Sequence, residues 1–326
     1  MMNNSQPAQT ATDLFNILIH KKNEWKNDID ETYDPFTLKE LLELSVKNER
    51  YDVLDFLLQQ KVFQHNIHVH NLMGYCLSAP IENRLKMVQY IFNHINAEEY
   101  SINEWTRTAC VREQPSIVDF FLSKKEWSSQ EYGDLLIASS GSDVELLQKF
   151  IPHAAKSAFQ KAMLSAIMKS NVPNIQALIP YANFDENQHS YLDLSMKTLY
   201  RSGEIINLIA PLCDLKEWSN KALLTAANEA NEVSARAFVD YYQGEPGEEQ
   251  GKIIFEIMRQ EWKEIAHIIL PKVDSKSCLD YLKQMSSLQK MHWDPEIVAT
   301  LQSRSEREEL KEETLLSVRT KKGLRL

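Results

Sequence analysis

The side chains best able to do chemistry fall in two short stretches. His65, His68 and His70 lie within six residues, with Cys76 close behind and His94 one repeat further on. Imidazoles this close can ligate a transition metal, and an imidazole beside a thiol can generate a nucleophile. Both patterns are incomplete. No carboxylate or cysteine is interleaved with the histidines, and only Gly74 offers an oxyanion-type turn near Cys76. The second stretch, Gly247-Glu248-Glu249-Gln250-Gly251-Lys252, has the outline of a phosphate loop. Pro246 occupies the place of its first glycine, Ile253 replaces the hydroxyl residue after the lysine, and Glu245, Glu248 and Glu249 repel phosphate. The residues therefore point to a histidine-bearing linker and to an acidic, flexible insertion from Gln243 to Gly251. An enzyme using Cys76 with His68 or His70 is the alternative. No cofactor, metal or small-molecule substrate is expected.

What would position these groups is a repeat. Gln59, Asn93, Ser123, Pro152, Pro180, Pro211, Asp240, Pro271 and Gln302 follow one another at intervals of 28 to 34 residues. Five before each stands Leu54, Val88, Val118, Leu147, Ile175, Ile206, Ala235, Ala266 or Ile297. Fourteen before each stands Ser45, Ala79, Ala109, Ala138, Ala166, Lys197, Ala226, Ile257 or Leu288. Periods of this size belong to solenoids, which grow by adding units and commonly act as binding surfaces. Apolar residues at i, i+3 and i+4 make each unit a pair of short helices. Prolines in Arg112-Glu113-Gln114-Pro115 and Asn171-Val172-Pro173-Asn174 separate the two. A small residue in the first helix lets neighbouring backbones approach, so Lys197, Ile257 and Leu288 predict wider or irregular spacing.

Bulk composition agrees: 43% hydrophobic and 25% charged residues suit a globular chain, and 8 Gly and 11 Pro are too few for a turn-rich β fold. The net charge of −10 disfavours nucleic acid and anionic lipid as partners. Cys76, Cys110, Cys213 and Cys278 are scattered, lack CxxC spacing and read as buried free thiols suited to a reducing cytoplasm. No apolar run reaches the roughly 18 residues of a membrane span, and Met1 to Thr12 has no signal-peptide core.

Trp105-Thr106, Trp127-Ser128 and Trp218-Ser219 each set a hydroxyl where a first helix could begin. The tryptophans then act as staples onto Cys110, Tyr132 and Leu223, or form an exposed aromatic ridge for a partner. Candidate partner contacts are Trp105, Glu126, Trp127, Tyr132, Trp218, Asn220 and Lys221.

The frame of Leu223, Ala226, Ala227, Ala235, Phe238 and Val239, repeated from Leu194 to Ala210 with the turn Arg201-Ser202-Gly203-Glu204-Ile205-Ile206, resembles the ankyrin repeat. The resemblance covers residues 38 to 303 and implies an all-α, right-stacked solenoid of about nine helical hairpins. The Thr-Pro-Leu-His opening, most turn glycines and the Gly-Ala-Asp segment are missing, so β-hairpin fingers should be reduced or absent. A HEAT-like array is the structural alternative.

Residues 1 to 37 form an N-terminal extension in which Asp13 to His20, with Leu14, Ile17 and Leu18, can cap the stack. Residues 304 to 326 form a charged tail, acidic then basic, which reads as a solvated helix extension. Its glutamate-rich block also resembles the tails of effectors exported by bacterial type IV secretion systems. The expected role is a non-enzymatic scaffold binding a protein with a basic surface on the concave side, in the cytoplasm or in that of a host cell.

Overall fold

The computed structural model describes residues 12, 15, 16, 35–59, 66–94 and 99–323. Leu14, Ile17 and Leu18 of the expected capping helix lie outside them. Among the described residues every regular element is a helix and no strand occurs. The α-helices are α1 (Pro35–Lys47), α2 (Tyr51–Gln59), α3 (Asn66–Ser78), α4 (Arg84–His94), α5 (Glu99–Val111), α6 (Pro115–Leu122), α7 (Ser129–Ser139), α8 (Val144–Phe150) and α9 (Lys156–Met168). There follow α10 (Val172–Leu178), α11 (Phe184–Lys197), α12 (Ser202–Ile209), α13 (Leu215–Asn228), α14 (Glu232–Phe238), α15 (Glu248–Arg259), α16 (Lys263–Ile269), α17 (Ser275–Lys283) and α18 (Pro295–Gly323). They form nine successive pairs among the described residues, one for each sequence anchor. The chain divides into two compact units, residues 1–158 and 159–326. In the first, α1 touches α3, α3 touches α5 and α5 touches α7; in the second, α11, α13, α15 and α17 follow the same order.

Every first helix but α17 buries a double column, two adjacent residues and the two a turn later; in α17 Lys283, the fourth of the set, is exposed. Leu41/Leu42 with Ser45/Val46, Ala162/Met163 with Ala166/Ile167, and Ala222/Leu223 with Ala226/Ala227 show it. Adjacent columns on one helix are buried when a neighbour packs on each side. The third column position is Ser45, Cys76, Ala109, Ser139, Ala166, Ser195, Ala226, Ile257 and Leu282, every one essentially inaccessible. This corrects the register in four units. Ala79 lies beyond the end of α3, Ala138 is one residue off, Lys197 is exposed at the end of α11, and Leu288 is exposed outside any α-helix. Counting back from the anchor fails there because the turns differ in length. The small residue of the Lys197 unit is Ser195, whose Oγ donates to Tyr191 O at 2.6 Å.

The turn after the first helix is also built repeatedly. Glu49, Glu113, Ser170, Ala230 and Glu261 have φ between 50° and 61°, in the left-handed region. Each donates its N–H to the carbonyl three residues back, and the next residue donates five residues back: Arg50 N to Ser45 O, Gln114 N to Ala109 O, Asn171 N to Ala166 O, Asn231 N to Ala226 O and Trp262 N to Ile257 O. These paired bonds are the Schellman ending of a helix. The residue that packs at the crossing thus also supplies the carbonyl that closes the turn. Glycine, the residue suited to this conformation, is absent from all five positions. The second helix then starts on Pro115 with Gln114 as its cap, or on Val172-Pro173 with Asn171 accepting from Asn174 N at 3.2 Å.

Polar side chains from these turns tie neighbouring pairs together. In the first unit Gln114 Nε2 donates to Leu77 O at 2.7 Å and Ser142 Oγ to Cys110 O at 2.9 Å. In the second, Asn231 Nδ2 donates to Met196 O and Thr198 O, and Gln260 Nε2 to Ala227 O. Leu77 O, Met196 O and Thr198 O lie at helix ends, and Cys110 O and Ala227 O take the side chain as a further donor beside the N–H of Glu113 or Ala230.

At Gly251, six residues before Ile257, α15 lies close to α17. A Cβ added to Gly251 in α15 would overlap Tyr281 Cβ, so the two helices are in close approach there. Gly251 is therefore not the end of a flexible insertion; α15 already starts at Glu248. The loop before it is pinned: Gln250 Nε2 donates to Gly244 O at 3.1 Å and Asn220 Nδ2 to Glu245 O at 2.9 Å. The charged tail continues α18, a helix of 29 residues, to Gly323.

Two substitutions check this account by thermal unfolding. Gly251→Ala forces a methyl into Tyr281 and should cost about 1–3 kcal/mol. Ala230→Gly relieves a left-handed alanine on an exposed turn and should add up to about 1 kcal/mol.

Candidate partner-binding surface

The seven candidate contacts divide by burial. Trp105 is only 3% exposed. It lies inside α5, 6.5 Å from the Phe92 ring and 6.0 Å from that of Phe121. It is a core residue, so its reading as a partner contact is corrected. Its neighbour Thr106 is no cap, since its hydroxyl is buried and donates to Ile102 O at 2.6 Å. The same correction applies to Trp218-Ser219. The cap of α13 is Asp214, and Ser219 is buried, accepting from Gln243 N at 3.1 Å. These helices start earlier than the Trp-hydroxyl pairs, so neither Trp105 nor Trp218 is a staple.

Ser128 does cap α7. Its Oγ accepts from Glu131 N, and Glu131 returns a carboxylate oxygen to Ser128 N at 2.8 Å, a complete capping box. Trp127, just outside, meets Tyr132 with ring centroids 6.3 Å apart. Its Nε1 donates to Leu122 O at 3.2 Å, fixing the indole over the linker. Around this staple the structure adds groups that sequence reasoning missed. Lys125 Nζ lies 4.7 Å from the Trp127 ring centre, and the His153 ring lies 4.9 Å from Tyr132. Glu126 is exposed beside them. Trp127 and Tyr132 are half-buried, each with one face packed and the rest open.

A second cluster occupies the second unit. Trp218, half-buried, stands four residues past its helix cap, as Tyr132 does in its own helix. The His189 ring lies 4.1 Å away, and exposed Lys221 holds Nζ 5.4 Å from the indole. Asn220 is 8% exposed and is structural: its Oδ1 accepts from Tyr242 OH at 2.5 Å while its amide holds Glu245 O. Chemically, both clusters offer an aromatic face, a cation and an imidazole, which suits mixed apolar and polar contacts.

Glu131 explains why the first cluster is rigid. Burial opposes its charge, but Lys125 at 2.5 Å, the Ser128 backbone and hydroxyl, and Asn103 at 2.8 Å outweigh it and hold the pKa at about 2 against an ordinary 4.5. The carboxylate joins α5, the linker and α7. The box Ser128-x-x-Glu131 was legible in sequence; Asn103 and Lys125 carry no sequence signal, because they arrive from a neighbouring unit and from the linker.

The other sequence candidates are placed as follows. His68 and His70 fall in α3, not in a linker, and His65 lies outside the described residues. Among the described residues no three His, Cys, Asp or Glu gather as a metal set. Cys76 is fully buried and burial pushes its thiol pKa far up. Cys110 and Cys278 are buried and Cys213 is half-buried, with thiols raised to about 12 by burial. Thiols held neutral make poor nucleophiles. In the second unit an open cleft of about 380 Å3 is lined by Met258, Trp262, Lys263, Met291, Trp293 and Asp294. Lys263 and Asp294 form an ion pair in it at 3.0 Å. No helix among the described residues is long and apolar enough to cross a membrane.

The low pKa of Glu131 fixes a pH dependence. Its folded value lies below its unfolded value, so its stabilisation is complete above about pH 4.5 and is lost as pH falls towards 2. Glu131→Gln should lower the melting temperature at pH 7 and flatten its decline between pH 5 and 2, measured by circular dichroism. An unchanged acid limb would remove Glu131 from this role. No family model, curated protein or solved structure matches the chain.

Proposed function

We propose that the chain is a non-enzymatic scaffold of ankyrin-like helical repeats that binds a protein partner on its first-helix and linker side. The observation that carries this reading is the half-buried aromatic pair Trp127–Tyr132, framed by Lys125, Glu126 and His153. Aromatic groups anchored on one face and open on the other bind at low entropic cost. Trp218 with Lys221 offers a second anchor of the same chemistry. The ankyrin-like part of the reading is supported by the pairing of short helices, the small buried residue in seven of the nine first helices and the left-handed turn that recurs after five of them. The net charge of −10 favours a partner with a basic surface through steering.

The alternative, an enzyme built on Cys76, needs an accessible thiolate, and the buried neutral thiol weighs against it. The tail reading adds a second proposal, export into a host cell. A clean test of it truncates after Ser305, because Arg304 still bonds Leu270 O and Val273 O. Loss of translocation with an unchanged melt supports the signal.

Affinity capture from host-cell lysate with mass spectrometry identifies the partner. Glu126→Arg and Lys221→Glu change exposed side chains and should weaken a captured partner about tenfold or more while the melting temperature stays within a degree or two. Retained binding by both, or rapid labelling of native Cys76 by a thiol reagent, would overturn the scaffold reading.

A further inference from the structure

In four places a side chain of one pair donates to the penultimate carbonyl of the first helix before it: Gln114 to Leu77 O, Ser142 to Cys110 O, Asn231 to Met196 O and Gln260 to Ala227 O. Gln114 and Asn231 do so from the cap of the following second helix. In the last pair these two places fall to Met258 and Asp294. Met258 is the penultimate residue of α15, and Asp294 caps α18, accepting from Glu296 N at 2.9 Å. A carboxylate accepts and cannot donate. Among the described residues Met258 O takes Glu261 N and no side chain donates to it. Asp294 N meets Met258 Sδ at 3.4 Å instead. The cleft of about 380 Å3 opens here, walled by Met258, Glu261, Trp262, Met291, Trp293 and Asp294.

We propose that this cleft receives an arginine side chain of a basic protein partner, its guanidinium pairing with Asp294 and donating to Met258 O the bond that the chain supplies for itself in the other four places. The cations already in the wall are engaged. Arg259 is held by Glu256 at 2.5 Å, and Lys263 pairs with Asp294 at 3.0 Å. Lys263 is the group an entering cation displaces; it is 65% exposed, and so open an ion pair is given up at small cost. The Lys263 ammonium and the cap N–H groups hold the Asp294 carboxyl below the usual range, so it stays charged at neutral pH. Glu261 adds an exposed carboxylate with no ion pair among the described residues. Arginine suits the site better than lysine, because its planar fork engages a carboxylate and a carbonyl together and stacks on an indole. The Trp293 ring already meets one cation, Lys290 Nζ, 5.3 Å from its centre. The volume is at the low end of ligand clefts, about 300–1,000 Å3, and suits a side chain rather than a cofactor. The cleft belongs to the second unit and the Trp127–Tyr132 pair to the first, so the two readings are tested independently.

Titration of the full chain with acetyl-arginine amide, followed by the tryptophan indole N–H signals in a proton–nitrogen correlation spectrum, tests this. The Trp293 signal, assigned with Trp293→Phe, should shift saturably in the millimolar range. Acetyl-citrulline amide, of the same shape without the charge, should bind about tenfold more weakly or less. Lys263→Met removes the competing cation and should tighten arginine binding about threefold. Asp294→Asn keeps the cap and sets a donor beside Met258 O, so it should weaken binding about tenfold while the melting temperature holds or rises. No saturable shift, equal binding of the citrulline derivative, or full affinity in Asp294→Asn would each overturn the proposal. If Asp294→Asn lowers the melt, Lys263→Met decides, and arginine binding that is unchanged or weaker there overturns it.

Discussion

The structure depends on one packing constraint: the first helix of every pair but the last is buried along two adjacent columns, and one position in them must admit a neighbouring backbone. Ser45, Cys76, Ala109, Ser139, Ala166, Ser195 and Ala226 meet that demand with small side chains. The same residue often supplies the carbonyl that ends the helix, as Ala166 does for Asn171 N and Ala226 for Asn231 N. Side-chain volume and turn geometry are therefore set at a single site. A larger residue there would push neighbours apart and displace the turn that aims the second helix. Where the column carries Ile257, the close approach moves to Gly251 against Tyr281.

The polar groups follow from the same geometry. At each of these turns a side chain of the following pair, Gln114, Ser142, Asn231 or Gln260, donates to a carbonyl at the helix end of the preceding one. Their partners lie 32 to 37 residues away in sequence, about one repeat. Within each compact unit successive first helices lean on their nearest neighbours, so losing one tie weakens the adjoining pairs first. The aromatic clusters sit on this scaffold where linkers meet first helices, which leaves Trp127, Tyr132 and Trp218 each with a packed side and an open side.

Much of the helical organisation was legible in the sequence because apolar spacing survives divergence: all nine pairs lie where the anchors put them. Register within the first helix was not, because it was counted backwards through turns whose length varies. Lys197 therefore took the place of Ser195, and Leu288 that of Leu282. The cap at Ser128 was readable because Glu131 completes a local motif. Trp105 and Trp218 looked alike but lie inside their helices, whose starts at Glu99 and Leu215 come several residues earlier. Clusters such as Lys125–Glu131–Asn103 and Trp218–His189 join residues from different units or linkers, and no local pattern encodes them.

The register of the buried column is the claim on which the rest stands, and paired substitutions in α11 test it most directly. Urea unfolding of Ser195→Leu and Lys197→Leu, followed by circular dichroism, compares two positions a half-turn apart. Ser195→Leu should cost about 1–3 kcal/mol or prevent folding of the second unit, because nothing beside it can yield. Lys197→Leu should stay within about 0.5 kcal/mol of the parent, as exposed sites do. Equal tolerance of both, or greater damage from Lys197→Leu, would contradict the account.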